Sequence, residues 1–421
     1  MTFEHITLNN QKVVGIQNVN NVLSMRDVKS ANSVPVIQNT GSQGLVTLID
    51  GSFTGGSSLV SAIENDAGGL FARNIVATGY KSAIKNKGSV ISGQSISEFY
   101  SFQDEPLYKY SLFDTPKKSL NLAVQETPEV PWDPLDQWVN VKDYGADGSG
   151  RKDFDNTPAV QKAIDEADKL GKTTLYFPKG QYAFGDTIRI HGSIRRVYFM
   201  MFGVGAVNSE ANKFGDGRPL IAIEEGIHPT LMIEGVGRPF GTGATVGLKT
   251  LFKHVSSKTL VLKNLGGIYE NVPGSGPVFF EDMQSCGIFH STKVWMRQLD
   301  PEACTRLPTP PVDPKILNDG SDVWILGIKT ERSAVIVETK NGGRTEVLGG
   351  LIYPVELVPS DKPAFVSRDS SHSLSFVIKA DQAAASHQII VEETRTGQTK
   401  QLMKSQVPPR GNGVMVPLYV G

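Results

Sequence analysis

The chain has 421 residues, 43 of them Gly and 24 Pro, with 39% hydrophobic and only 20% charged residues, the profile of many short strands and tight corners with few long helices. A formal net charge of −1 lacks the clustered basic surface that nucleic acid or an acidic membrane would require. No apolar run reaches the roughly 18 residues of a bilayer span, and Cys286 and Cys304 have neither the number for a disulfide framework nor metal-ligand spacing, so the redox compartment stays open.

The first 98 residues repeat. Ile16-Gln17-Asn18, Ile37-Gln38-Asn39, Ile63-Glu64-Asn65 and Ile84-Lys85-Asn86 recur at spacings of 21, 26 and 21, with apolar runs Val22 to Met25, Leu45 to Ile49 and Leu70 to Ile75 between them. A period in the low twenties with short strands in each period predicts a solenoid of parallel strands. Equivalent residues then stack at about 4.8 Å. Each buried Ile would contribute roughly 1.5 to 3 kcal/mol, and stacked Asn amides can bond from coil to coil. Because residue 1 already lies inside the array, the chain reads as the later part of a longer polypeptide, with a secretory signal expected in the preceding part.

Residues 99–137 lose the period and are rich in Pro and charge, which predicts a linker strapped along the solenoid wall by its aromatics. A second unit, 138–355, opens with one amphipathic helix over 157–170. Thr157 is expected at its N-cap and Pro158 at its first position; Val160, Ala163, Ile164 and Ala167 form its apolar stripe, and Gly171 stops it. Strands follow at Thr173 to Phe177, Tyr182 to Phe184 and Thr187 to Ile190. Such a helix suits a cap on the exposed first coil of a new solenoid. Further on, Val323 to Ile328, Ala334 to Val337 and Val347 to Tyr353 read as three more strands. Residues 356–421 read as an antiparallel β appendage with a turn at Thr396-Gly397. The Gly-rich stretch 235–247 has no phosphate-loop ending and reads as loops.

VKDYGADGSGRKDFDNTPAVQKAID followed by TLYFPKGQY resembles the entry segment of pectate-lyase-like right-handed β-helix proteins. With the earlier repeats and the later VWMRQLDPE, VWILGIKTE and NGGRTEVLGGLIYP, the chain is similar to glycoside hydrolase family 55, the tandem β-helix β-1,3-glucanases. The resemblance implies an all-β fold of two right-handed parallel β-helices, the first truncated. It also implies inverting hydrolysis of a β-glucan, extracellular or at the cell surface, with a polysaccharide as partner and neither metal nor cofactor.

It further implies a motif, Trp-x-x-Gly-x-x-x-Glu, matched here by Trp324, Gly327 and Glu331, whose glutamate is the general acid. Arg332 stands where the family usually has His. Glu331 falls in a loop between two strands, where partial burial would raise its pKa toward neutrality unless Arg332 pairs with it. An inverting enzyme needs a second carboxylate about 6.5 to 9.5 Å away. Glu302 is the first candidate, with Asp300 beside it. Trp324, Trp295 and Tyr353 are candidate sugar-stacking rings, Arg332 and Arg297 candidate substrate contacts, His290 a weaker candidate, and Ser24 and Gln17 candidate water-orienting groups. Glu338, Arg344 and Glu346 are expected to form a solvated charge ladder. Asn-Thr-Asp, Asp-Asp and Gly-His-Gly segments are absent, which disfavours a polygalacturonase and a calcium-dependent lyase. Two alternatives to the hydrolase remain: a non-catalytic β-helix that binds carbohydrate or serves structurally, and a uronic-acid lyase.

Overall fold

The computed structural model describes residues 1–106, 108–115, 117–239, 250–302, 313–380 and 386–421. The Gly-rich stretch 235–247, the Pro-rich excursion at 307–314 and Cys304 lie wholly or largely outside the described residues. The chain forms two compact units, one of residues 1–122, 324–335 and 344–421, the other of residues 123–323 and 336–343. Both are built almost wholly of β-strands in large parallel ladders.

In the first unit the sequence period becomes register. The four Ile-x-Asn triplets are strands Ile16–Asn18, Ile37–Asn39, Ile63–Asn65 and Ile84–Asn86, paired in parallel with Ile against Ile and Asn against Asn. The Asn amides bond as a continuous chain: Asn18 Nδ2 donates to Asn39 Oδ1 at 2.9 Å, Asn39 to Asn65 at 2.7 Å, and Asn65 to Asn86 at 2.7 Å. A second ladder runs through Thr2–Asn9, Val22–Ala31, Leu45–Thr54 and Gly69–Ala77, longer than the apolar runs that announced it. Each of these strands bends at a left-handed residue: His5, Asp27, Asp50 and Asn74, with φ of 55°, 52°, 60° and 57°. Side chains from Met25, Leu48, Ile63 and Ile75 fill the interior. Antiparallel strands Ser89–Ile91 and Ser95–Tyr100 end the two ladders.

The same unit contains the last strands of the chain. Asp322–Thr330 joins Arg344–Ile352, which pairs in parallel with Ser371–Ile378, while Pro363–Arg368 pairs in parallel with Ile389–Arg395. Antiparallel pairing begins only with Gln398–Met403 and Gly413–Val420, around the turn at Thr396-Gly397. The strand expected at Ala334 to Val337 is displaced to Val337–Lys340, which belongs to the second unit, because Ala334 to Ile336 form the apolar corner leading into it.

Glu346 corrects the expected charge ladder. It is fully buried and accepts both guanidinium nitrogens of Arg73, at 2.7 and 3.3 Å. Backbone N–H groups of Asn121 and Leu122 donate to the same carboxylate at 3.1 and 3.2 Å. This fixes the end of the strap that follows the first ladder.

In the second unit the helix is Thr157–Lys169, and its buried residues are the four of the predicted stripe. Its N-cap is Asn156 rather than Thr157, because the Thr157 hydroxyl accepts from the Gly185 and Asp186 N–H groups. Gly171 follows at φ +63°. Parallel strands then alternate between two ladders. Thr259–Asn271 serves both, its first half pairing with Val278–Glu281 and its second with Gln284–His290. Asp133 accepts from Thr173 and Thr174 at 2.7 Å and pairs with Arg195, tying this part of the linker to the neighbouring strands through a carboxylate.

Candidate functional site

Glu331 follows the last residue of strand Asp322–Thr330, at a corner of the first unit. Its side chain is 20% exposed, and its Oε1 accepts the Tyr353 hydroxyl at 2.6 Å and the Lys329 ammonium at 3.1 Å. The Lys329 ammonium also stands 5.0 Å from the centre of the Tyr353 ring. Arg332, in the left-handed region at φ 74°, turns away and pairs with Glu356 at 3.2 Å, while the Ser333 N–H and hydroxyl hold the other oxygen of Glu356. The Tyr353 hydrogen bond, with help from Lys329, holds the Glu331 carboxyl below the ordinary glutamate value against its partial burial. Burial and the anionic neighbour push the Tyr353 phenol up.

This electrostatic outcome differs from the expectation of a raised acid. A carboxylate in this setting accepts hydrogen bonds and carries no proton to give near neutral pH. Tyr353 lies 22 residues beyond Glu331, the offset between the paired strands Asp322–Thr330 and Arg344–Ile352, so that spacing was the signal that the two side chains would meet.

Gly327 and Trp324 of the motif have structural positions. Trp324 is 1% exposed, its ring inside the protein with no face open to a sugar. Gly327 lies at φ +76°, and a Cβ there would fall 1.9 Å from Thr2 Oγ1. Gly349, one coil on at φ +81°, has the same relation to Ser24 Oγ, also at 1.9 Å. The strands of the first ladder and the last strands of the chain thus approach through glycines, with Thr47 and Ser375 hydroxyls bonded at 2.8 Å between them. Ser24 is buried in this contact, whereas Gln17 is exposed on strand Ile16–Asn18.

The remaining candidates belong to the second unit. Trp295 is buried, stacks on Phe279 at 4.8 Å, and donates its indole N–H to the Ala123 carbonyl at 2.9 Å. Arg297 is buried beneath the same strap, donating to Gln125 O at 2.9 Å and to Thr127 Oγ1 at 3.2 Å. Both side chains anchor the strap. Asp300 and Glu302 follow strand Lys293–Leu299, with the Glu302 N–H donating to Asp300 O at 2.9 Å and the Glu302 side chain buried. His290 Nδ1 lies 3.3 Å from Asp319. Among the described residues no group of three His, Cys, Asp or Glu is arranged to hold a metal ion, and no helix is long and apolar enough to cross a membrane. Cys286 is disulfide-bonded.

Compared with known proteins, residues 138–221 match the family described as rhamnogalacturonase A/epimerase, pectate lyase-like. The matched segment covers the helix Thr157–Lys169 and the first strands of the second unit. Alginate lyase 7 of Azotobacter vinelandii is 54% identical over 43 residues, which are 10% of this chain and 5% of that protein. Among solved structures, the surface adhesin PfbA of Streptococcus pneumoniae is 11% identical, covering 63% of this chain and 94% of that one at a TM-score of 0.26. ORF18 of Geobacillus virus E2 is 14% identical, covering 59% and 62% at 0.25.

Proposed function

We propose that this chain is a right-handed parallel β-helix protein that binds polysaccharide outside the cell or at its surface, through the corner of Glu331, Tyr353 and Lys329. The observation that carries this reading is the hydrogen bonding of Glu331, whose Oε1 accepts both the Tyr353 hydroxyl and the Lys329 ammonium. A carboxylate, a phenol and an ammonium side by side supply the acceptors and donors that sugar hydroxyls require. The pectate-lyase-like segment supports a carbohydrate-related role.

A second reading is hydrolysis of a β-1,3-glucan, favoured by the spacing of Trp324, Gly327 and Glu331 and its resemblance to glycoside hydrolase family 55. With Glu331 ionised, that residue would serve as the base activating water.

The test is affinity electrophoresis on laminarin, alginate and rhamnogalacturonan, with reducing ends and unsaturated products assayed in parallel. Retardation without product, weakened in Glu331→Gln and Tyr353→Phe, supports the binding reading. Product that disappears in Glu331→Gln supports the hydrolase, unsaturated product a lyase. No retardation on any glycan rejects the proposal.

A further inference from the structure

Three successive coils of the first ladder leave a polar cavity at one corner. It has a volume of about 290 Å³ and lies where the chain leaves strands Thr2–Asn9, Val22–Ala31 and Leu45–Thr54, lined by Asn10, Gln11, Lys12, Asn32, Ser33 and Val34 among others. That volume is at the small end for ligand sites. The amide oxygen of Gln11 is buried and has no hydrogen-bond partner among the described residues. A buried acceptor left unpaired costs about 1–3 kcal/mol, so it is best explained by a donor that the protein does not itself supply.

The floor around it is rigidly built. Asn32 is buried; its Oδ1 accepts the Gln11 N–H at 2.6 Å, and its Nδ2 donates to Leu8 O at 3.1 Å and Ser30 Oγ at 2.7 Å. The Tyr80 hydroxyl, from deeper in the coil, donates to the carbonyls of Asn32 at 2.8 Å and Val34 at 3.1 Å. These bonds set the positions of the loops before any ligand arrives, which lowers the ordering cost of binding.

We infer that this cavity is a saccharide subsite that takes one neutral, hydroxyl-rich ring, separate from the Glu331 corner. Three features select that class. The buried Gln11 oxygen calls for a donor, which a sugar hydroxyl supplies. Amides of Asn10 and Gln11 with the Ser33 hydroxyl offer the mixed donors and acceptors that a polyol matches, and Val34 offers an apolar wall to the C–H face of a ring. The charged residue among the lining residues is Lys12, whose ammonium disfavours a cationic ligand. Only the choice of a sugar among polyols rests on the polysaccharide reading above.

The experiment is saturation-transfer NMR on the full chain with glucose, galactose, rhamnose, fucose and glucuronate, alongside end-blocked oligosaccharides. At least one neutral sugar is expected to bind in roughly the millimolar range. Gln11→Leu should weaken it about tenfold, the factor that one hydrogen bond of about 1.4 kcal/mol represents, and Ser33→Trp, at an exposed position, should abolish it by filling the mouth. Binding of the free sugar alone assigns a soluble sugar as occupant, binding of both a chain terminus; either supports the subsite. No neutral sugar bound, glucuronate bound in preference, or binding unchanged in both variants overturns it. Sugar bound here without retardation by any polysaccharide would reject the proposed function and leave the subsite standing. Retardation that both variants leave intact, with no monosaccharide bound, would do the reverse.

Discussion

Arg73 and Glu346, 273 residues apart in sequence, form a buried bidentate ion pair at 2.7 and 3.3 Å with side-chain exposures of 4% and 0%. Arg73 comes from the end of the first ladder and Glu346 from a strand near the end of the chain. Ser119 and Ser373 bond to the pair as well, at 2.7 Å to Arg73 and 3.1 Å to Glu346. The carboxylate therefore organises two strands and a strap at once.

Removing one partner of such a pair strands the other charge in the interior. Arg73→Met is expected to destabilise the protein by about 3–5 kcal/mol, read as the shift of a urea midpoint. Replacing both, Arg73→Met with Glu346→Leu, should recover part of that loss, because the uncompensated charge is then gone. An Arg73→Met protein as stable as wild type would show that the pair contributes nothing.

Glycine at 349 answers to two constraints, a positive φ and the Ser24 hydroxyl. Gly349→Ala should cost about 1–3 kcal/mol from the backbone alone, with a further loss from the collision. Adding Ser24→Gly should remove the steric part and leave the backbone part. Thermal denaturation of the single and double variants separates them; equal losses in both would mean that the close approach carries no strain.

These two results mark what the sequence could and could not disclose. The Ile-x-Asn triplets are legible because parallel pairing of successive repeats turns sequence period directly into strand register. The helix stripe of Val160, Ala163, Ile164 and Ala167 was legible because its periodicity is local. Glu346 was read as a solvated charge since nothing near it in sequence announces Arg73. Trp295 and Arg297 look available for ligand in the sequence, yet Trp295 bonds to the Ala123 carbonyl and Arg297 to the Gln125 carbonyl, the Thr127 hydroxyl and the carboxylates of Glu126 and Glu281, and the strap residues among these lie about 170 residues away in sequence. Gly327 was noticed as part of a motif, while its physical reason, the Thr2 hydroxyl, lies more than 300 residues away.

Two buried histidines give a pH dependence. Burial pushes His254 down to about 4 and His372 down to about 3, from an ordinary 6.5. In the unfolded chain each takes up a proton near 6.5, while in the fold it stays neutral to a lower pH. The unfolded state thus binds more protons in that window, so stability falls as pH drops from 6.5 toward 4. For His254 the loss is on the order of 3 kcal/mol. Urea midpoints measured from pH 7 to pH 4 should decline, with a shallower slope in His254→Gln. A flat profile would contradict neutral burial.

The proposed site depends most directly on the charge of one carboxyl. Carbon-detected NMR titration of the Glu331 side chain is expected to give a midpoint below the ordinary glutamate value of 4.5, moving upward in Tyr353→Phe as the hydrogen bond from Tyr353 is lost. A midpoint near neutral pH in the wild-type protein would mean that Glu331 holds a proton under working conditions, which would contradict the binding account and restore the general acid.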